Sequence, residues 1–222
     1  MSYSTVKIVG VTSPRIEGVN SAEELVAYAA RVSNPTNQHN SETAPKLLKY
    51  LMKNHHWSPF EMVSVVMEIN TTRDIARQIL RHRSFSFQEF SQRYAEASQL
   101  GFETREARMQ DPKNRQASLQ SEDRELRKEW EAKQVFLLRH IKDTYTWALT
   151  NGIAKEQCRA VLPEGMTRSR MYMSGTLRSW IHYCQIRTDI STQKEHREVA
   201  NQVLSELEKE FPSIIGLFNE TQ

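Results

Sequence analysis

The stretch from Ser121 to about Asn151 constrains the fold more than any other part of the chain. Leu126, Trp130, Leu137, Ile141, Tyr145 and Leu149 recur near the helical period, so the spacing predicts one long amphipathic helix. Asn151-Gly152 ends it, since both residues tolerate the left-handed turn that closes a helix. Shorter helices surround it. Ser21 caps one through about Val32, with Glu24 three residues on completing a capping box, and Ser33-Asn34-Pro35 stops it. Further helices are predicted from Ser41 to about Asn54, with Leu47, Leu48 and Leu51 as apolar positions, and from Thr72 to about His82. A short one from Ala154 to Leu162 ends at Pro163, and two more run from about Gly175 to Ile186 and from Gln193 to Phe211, before a short closing turn.

Strand signals are fewer. Val6 to Val11 is a short β-branched run ended by Ser13-Pro14, and Met62 to Asn70 alternates loosely and is rich in valine. Phe85 and Phe87 alternate against Ser84, Ser86 and Gln88, which is extended-strand or loop patterning over Ser84 to Arg93. His55 to Pro59 reads as a turn, and Gly101 to Gln120 as a polar, irregular, mobile excursion. Without a repeat, a low-complexity linker or a break in composition, residues 1–222 form a single domain. The expected class is α+β: a small, mainly antiparallel sheet flanked by several helices.

At 38% hydrophobic and 26% charged residues, the 222-residue chain is too apolar for disorder and long enough for a real core. No run approaches the ~20 apolar residues that cross a bilayer, and the first residues lack the pattern of a signal peptide. Two cysteines argue against a disulfide framework, so a cytoplasmic protein is expected. A net charge of +3 does not demand nucleic acid, but it suits a local site for small anions if arginines converge.

Arginines do cluster along one stretch. Arg73, Arg77 and Arg81 lie four residues apart on one helix face, with Gln78 beside them. Arg81-His82-Arg83 then falls at the helix end, followed closely by Gln88, Glu89, Ser91 and Arg93. Cations at a helix C-terminus often do no more than complement its dipole. Forked donors with hydroxyls beside them also bind phosphate. The residues alone leave surface patch and anion site open.

Arg81-His82-Arg83, seven residues and then Ser91 resemble the RHR-x7-S signature of the flavin-dependent thymidylate synthases. Glu89, Ser91 and Arg93 are in register with that family, and Gln88 stands where many members carry asparagine. Upstream, His56-Trp57-Ser58-Pro59-Phe60-Glu61 is similar to the family's flavin-contacting turn. Downstream, Arg159 to Pro163, Ser174 to Ser179 and Ile186 to Asp189 are similar to later family segments, although Thr176 and His182 replace frequent asparagines. Glu164 to Arg170 is left unassigned, with a small length change.

The resemblance implies methylation of dUMP, with carbon from methylenetetrahydrofolate and hydride from FAD reduced by NADPH. It implies that Gln78, Arg81, Glu89, Phe90, Ser91, Gln92, Arg93, Arg159 and Arg187 hold dUMP, with backbone amides around Phe90 and Gln92 helping at the phosphate. It places His56, Ser58, Arg81, His82, Arg83, Glu89, Thr176, Arg178 and His182 at the FAD. Arg187 is the activating residue it implies, stabilising an anionic uracil ring; a homotetramer with sites shared between chains is also implied. FAD would then bind outside a Rossmann fold, because the glycines form no dinucleotide fingerprint.

Other readings are weighed beside it. Cys158, next to Arg159, and Cys184 suggest a cysteine-dependent nucleotide methyltransferase, but buried structural cysteine is the commoner fate. Ser91 has no histidine or lysine at a spacing that identifies a base. The histidines are dispersed, without metal-ligand spacing, so no metal is expected. A nucleic-acid binder would use Arg73, Arg77, Arg81 and Arg83 with Phe85, Phe87 and Tyr94 for stacking, against which stand 27 acidic and 30 basic residues.

Overall fold

Alternating burial along two nine-residue strands organises the molecule, whose computed structural model describes residues 4–214. The elements in chain order are β1 (Thr5–Val11), α1 (Ala22–Ala30), α2 (Ala44–Lys53), β2 (Ser64–Thr72), α3 (Arg73–Ile79), β3 (Ser86–Glu89), β4 (Arg108–Gln110), β5 (Ser118–Gln120), α4 (Arg124–Thr150), α5 (Lys155–Cys158), β6 (Arg168–Thr176), α6 (Leu177–Arg187) and α7 (Lys194–Glu210). A four-stranded sheet runs in the order β1-β2-β6-β3, every pair antiparallel. Val65, Met67 and Ile69 of β2 and Met171 and Met173 of β6 are fully buried on one face. Trp180, Tyr183, Val199 and Val203 from α6 and α7 join them in one core, each large side chain contributing roughly 1.5–3 kcal/mol by leaving water. The opposite face is polar: Tyr172 donates to Glu68 at 2.9 Å and Arg170 to Asn70 at 2.9 Å. The α+β expectation and the antiparallel sheet hold.

The central strand β6 is where sequence and structure part. It occupies residues left unassigned or placed in a helix that started at Gly175. Methionine, serine and glycine favour strands weakly, and its only trace is the alternation of buried Ser169, Met171 and Met173 with Arg170 and Tyr172. Thr176 ends the strand and caps α6, its Oγ1 accepting the Ser179 N–H at 3.3 Å. At Gly175 a Cβ would lie 2.4 Å from the Phe85 ring, so only glycine lets that ring seat on the strand. Phe85 in turn packs on Trp180 with ring centroids 4.7 Å apart.

The region expected to be an irregular excursion contains the β4–β5 hairpin, with Met109 opposite Leu119. In α1, Ser21 caps as expected, while Glu24 reaches the Asn20 N–H at 2.6 Å, one residue before the cap. The long helix α4 is capped by Asp123 and is about 40 Å long at 1.5 Å per residue. Tyr145 and Ala148 near its C-terminus pack with Ala97 and Cys158 in a small second core. Leu126, Trp130 and Leu137, read as part of its apolar stripe, are exposed, as are Phe136 and Trp147. The closing turn covers residues 212–214, and residues 215–222 lie outside the described residues.

Candidate active site

The register of β3 on β6 sorts the site residues into two groups. Ser86 pairs with Ser174 and Glu89 with Met171, and the Phe90 N–H donates to the Arg170 carbonyl at 2.8 Å. The extended run from Ser86 to Phe90 therefore covers roughly 13 Å at ~3.3 Å per residue. Arg81, His82 and Arg83 precede it at the Thr176 end of β6, while Ser91, Gln92 and Arg93 follow it at the Arg168 end.

At the Thr176 end, α3 and α6 bring two sequence-distant groups together. Arg187, at the C-terminus of α6, donates from Nε to His82 Nε2 at 2.9 Å. An acceptor nitrogen must be bare, so His82 is neutral with its proton on Nδ1. Burial, with Arg187 and His182 nearby, pushes its pKa down to about 4 and keeps it so. Both terminal nitrogens of Arg187 are without a partner among the described residues, leaving its fork open. Arg81 and Arg83 are exposed, and their side chains make no hydrogen bond or ion pair among the described residues. Gln78, one turn before His82, donates to Gln193 at 2.6 Å and faces His196 at 3.3 Å.

Beside this cluster lies a cavity of about 610 Å³ lined by His55, Trp57, Glu61, Ser84, Thr176, Arg178, Ser179, His182 and Gln185. Glu61 organises one wall: it accepts from Thr176 Oγ1 at 2.7 Å and from Arg178 Nη1 at 2.6 Å. Those bonds, the Thr176 one foremost, hold its carboxyl below the usual range. Thr176, Arg178 and His182 thus line one cavity. His56 and Ser58 are exposed and do not line the cavity; their neighbours His55 and Trp57 do. His55 has a φ of 57°, rare for a residue with a side chain, and this turns His56 towards Tyr50, ring centroids 5.9 Å apart.

At the Arg168 end, Ser91 and Arg93 line a more open cavity of about 440 Å³ with Tyr94, Ala154, Lys155 and Glu156. Arg93 lies 3.5 Å from Glu156, whose carbonyl accepts from Arg159 Nε at 3.4 Å, so these three meet. The Phe90 amide, expected at the phosphate, is used by the sheet. The Gln92 amide has no backbone partner among the described residues, and its buried side-chain Nε2 has no partner either. Glu89 is engaged within the chain, accepting from Ser169 at 2.6 Å and lying 3.4 Å from Arg73.

Both cysteines are buried. Complete burial pushes the Cys184 thiol well up, and Cys158 donates to the Ile153 carbonyl at 3.2 Å. Among the described residues no group of three or more His, Cys, Asp or Glu is placed to hold a metal. No helix there is long and apolar enough to cross a membrane.

Comparison with known proteins gives a consistent picture. The family described as thymidylate synthase complementing protein matches residues 16–213. Over 210 residues the chain is 50% identical to a probable flavin-dependent thymidylate synthase of Paramecium bursaria Chlorella virus 1, covering 95% of this chain and 96% of that protein. Over 212 residues it is 47% identical to a flavin-dependent thymidylate synthase of Synechocystis sp., covering 94% and 96%. A solved structure of a UMP/dUMP methylase PolB from Streptomyces cacaoi, bound with 5-Br dUMP, matches with a TM-score of 0.82 at 27% identity, covering 99% of this chain and 96% of that one.

Proposed function

The chain belongs to the flavin-dependent thymidylate synthase family, and on that footing we propose that it methylates dUMP to dTMP in the cytoplasm. Carbon comes from methylenetetrahydrofolate and hydride from FAD that NADPH has reduced. The observation that carries this reading is Arg187, whose Nε is held by neutral His82 while its two terminal nitrogens have no partner among the described residues. A guanidinium so fixed needs little reorganisation to meet charge developing on a uracil ring. Removing one donor of this kind typically costs ~10²–10³ in rate.

The nucleotide is held by Gln78, Arg81, Glu89, Ser91, Gln92, Arg93 and Arg159 together with Arg187. Ser91 Oγ, the Gln92 amide and the Arg93 fork suit a phosphate, since charge-assisted bonds to such donors are the strong ones. Phe90 contributes position only, its amide being committed to β6. Glu89 is an acceptor, poised by Ser169 and Arg73 at the strand end.

The cavity around Arg178 fits a flavin in character. His55 and Trp57 offer flat apolar faces, while Ser84, Ser179, Thr176 and His182 offer polar contacts and Arg178 a cation. His56, Ser58, Arg81, His82, Arg83 and Glu89 complete the FAD site in the assembled protein. A flavin held there by these residues would supply the hydride chemistry of the methylation. The protein's own residues orient the ring, exclude water and fix charge. No thiolate is needed, which agrees with a buried Cys184 whose thiol is pushed well up.

Self-association as a homotetramer with shared sites accounts for two features. The guanidiniums fall at opposite ends of β3, and α4 leaves Leu126, Trp130, Leu137, Phe136 and Trp147 exposed along one arc of its surface.

A product assay with dUMP, omitting FAD, NADPH and methylenetetrahydrofolate in turn, tests the function. Each omission should abolish dTMP formation. Turnover without flavin, or with a folate carrier alone, would overturn it.

A further inference from the structure

His196, near the start of α7, has no solvent exposure and is bonded at both ring nitrogens. Nδ1 lies 3.3 Å from Gln78 Oε1 and Nε2 3.1 Å from the hydroxyl of Tyr183, itself fully buried. Gln78 Nε2 donates to Gln193 Oε1 at 2.6 Å, and Gln193 Nε2 donates to Glu195 at 2.9 Å. A carboxamide oxygen only accepts, so His196 Nδ1 carries the proton; Nε2 is then bare and takes the Tyr183 hydroxyl proton. Burial, with Arg187 and His82 nearby, holds the ring at about 3, so it stays neutral. Every donor thus meets an acceptor in one direction, from Tyr183 through His196, Gln78 and Gln193 to Glu195.

This direction fixes the Gln78 amide. Turning it over would set its NH₂ against the Nδ1–H of buried His196, and its oxygen against the oxygen of exposed Gln193, two opposed pairs of which the first is the costlier. Held as it is, Gln78 keeps one N–H and one lone pair for a ligand. Uracil and cytosine present reversed donor and acceptor patterns at the 3 and 4 positions of the ring. An amide free to turn serves either; a locked one favours one of them.

We propose that His196 is a positioning residue, locking Gln78 in the single amide orientation that matches a uracil rather than a cytosine ring. The inference rests on the placement of Gln78 in the nucleotide pocket, and it adds a source of base selectivity that lies behind that pocket. Tyr183 sets the tautomer of His196 and so acts two bonds away from Gln78.

The test is titration of FAD-loaded protein with dUMP and with dCMP, alongside thermal midpoints, for the wild type and the variants Gln78→Ala, His196→Phe, His196→Asn and Tyr183→Phe. His196→Phe, which loses the lock, should weaken dUMP about tenfold, the scale of one buried hydrogen bond, and narrow the dUMP-to-dCMP ratio by a similar factor. His196→Asn, whose NH₂ replaces the Nδ1 donor, should stay within about threefold of wild type whatever its thermal midpoint. Tyr183→Phe, close in volume, should narrow the ratio by freeing the other tautomer. Wild-type dUMP affinity in His196→Phe, or equal loss in Asn and Phe, would overturn the inference while Gln78→Ala remains impaired. If Gln78→Ala itself binds dUMP normally, the pocket assignment falls and the inference with it.

Discussion

His82 and His196 tie the protonation state of the site to the posture of Arg187 and Gln78. Chiefly through burial, their pKa values fall to about 4 and about 3, below the ~6.5 of a free histidine. Between those values the unfolded chain binds more protons than the folded one, so stability rises with pH across that window. The contribution is complete above about 6.5 and is lost as pH falls towards 4 and 3. The thermal midpoint should therefore drop from pH 7 to pH 5, with a slope that His196→Asn reduces; an unchanged slope would contradict this. Replacing both cysteines with alanine should leave turnover largely intact, and inactivity in a folded double variant would favour a thiolate mechanism. At this scale the Arg81-His82-Arg83 motif was legible because it matches a long signature, and Arg187 was named only through the resemblance of Ile186 to Asp189 to a later family segment. His196, Tyr183 and Gln193 were not: a histidine among apolar helix positions reads as core, and its partner Gln78 lies 118 residues away in sequence. Glu61 was quoted in its motif, but only the fold joins it to Arg178, 117 residues on.

Among the elements, β6 does most to place the site. It pairs with both β2 and β3, and its Thr176 starts the helix that ends at Arg187. The seat of Phe85 on Gly175 anchors the turn that carries Arg81 to Ser84. Gly175→Ala should destabilise the fold by roughly 1–3 kcal/mol through overpacking and lower FAD retention as the turn shifts. Chemical denaturation checks it, and wild-type stability would show that the ring moves freely. Helices with clear periodicity were legible in the sequence: α7 spans Lys194–Glu210 against an expected Gln193 to Phe211. β6 was obscured because its buried positions are methionines and a serine, whose packing rather than whose intrinsic preference makes them strand. The exposed half of α4 shows the converse, since periodicity reports an apolar stripe without saying what covers it.

For the whole molecule, the arginines stand at two ends of one short strand, and a long helix exposes large apolar side chains. Covering that arc with other copies of the chain resolves both features at once. Phe136→Glu with Trp147→Glu should shift the sedimenting species to smaller assemblies and cut turnover, whereas an unchanged sedimenting species would contradict an interface on this arc. The most direct test of a nucleotide site shared between copies is complementation. Arg187→Ala and Arg93→Ala, each close to inactive alone, are mixed under conditions that exchange subunits, and dTMP formation is measured. If the two ends of different chains meet on one nucleotide, about a quarter of the sites in a random mixture regain both arginines and activity returns. Mixed assemblies that form and stay inactive would contradict the account.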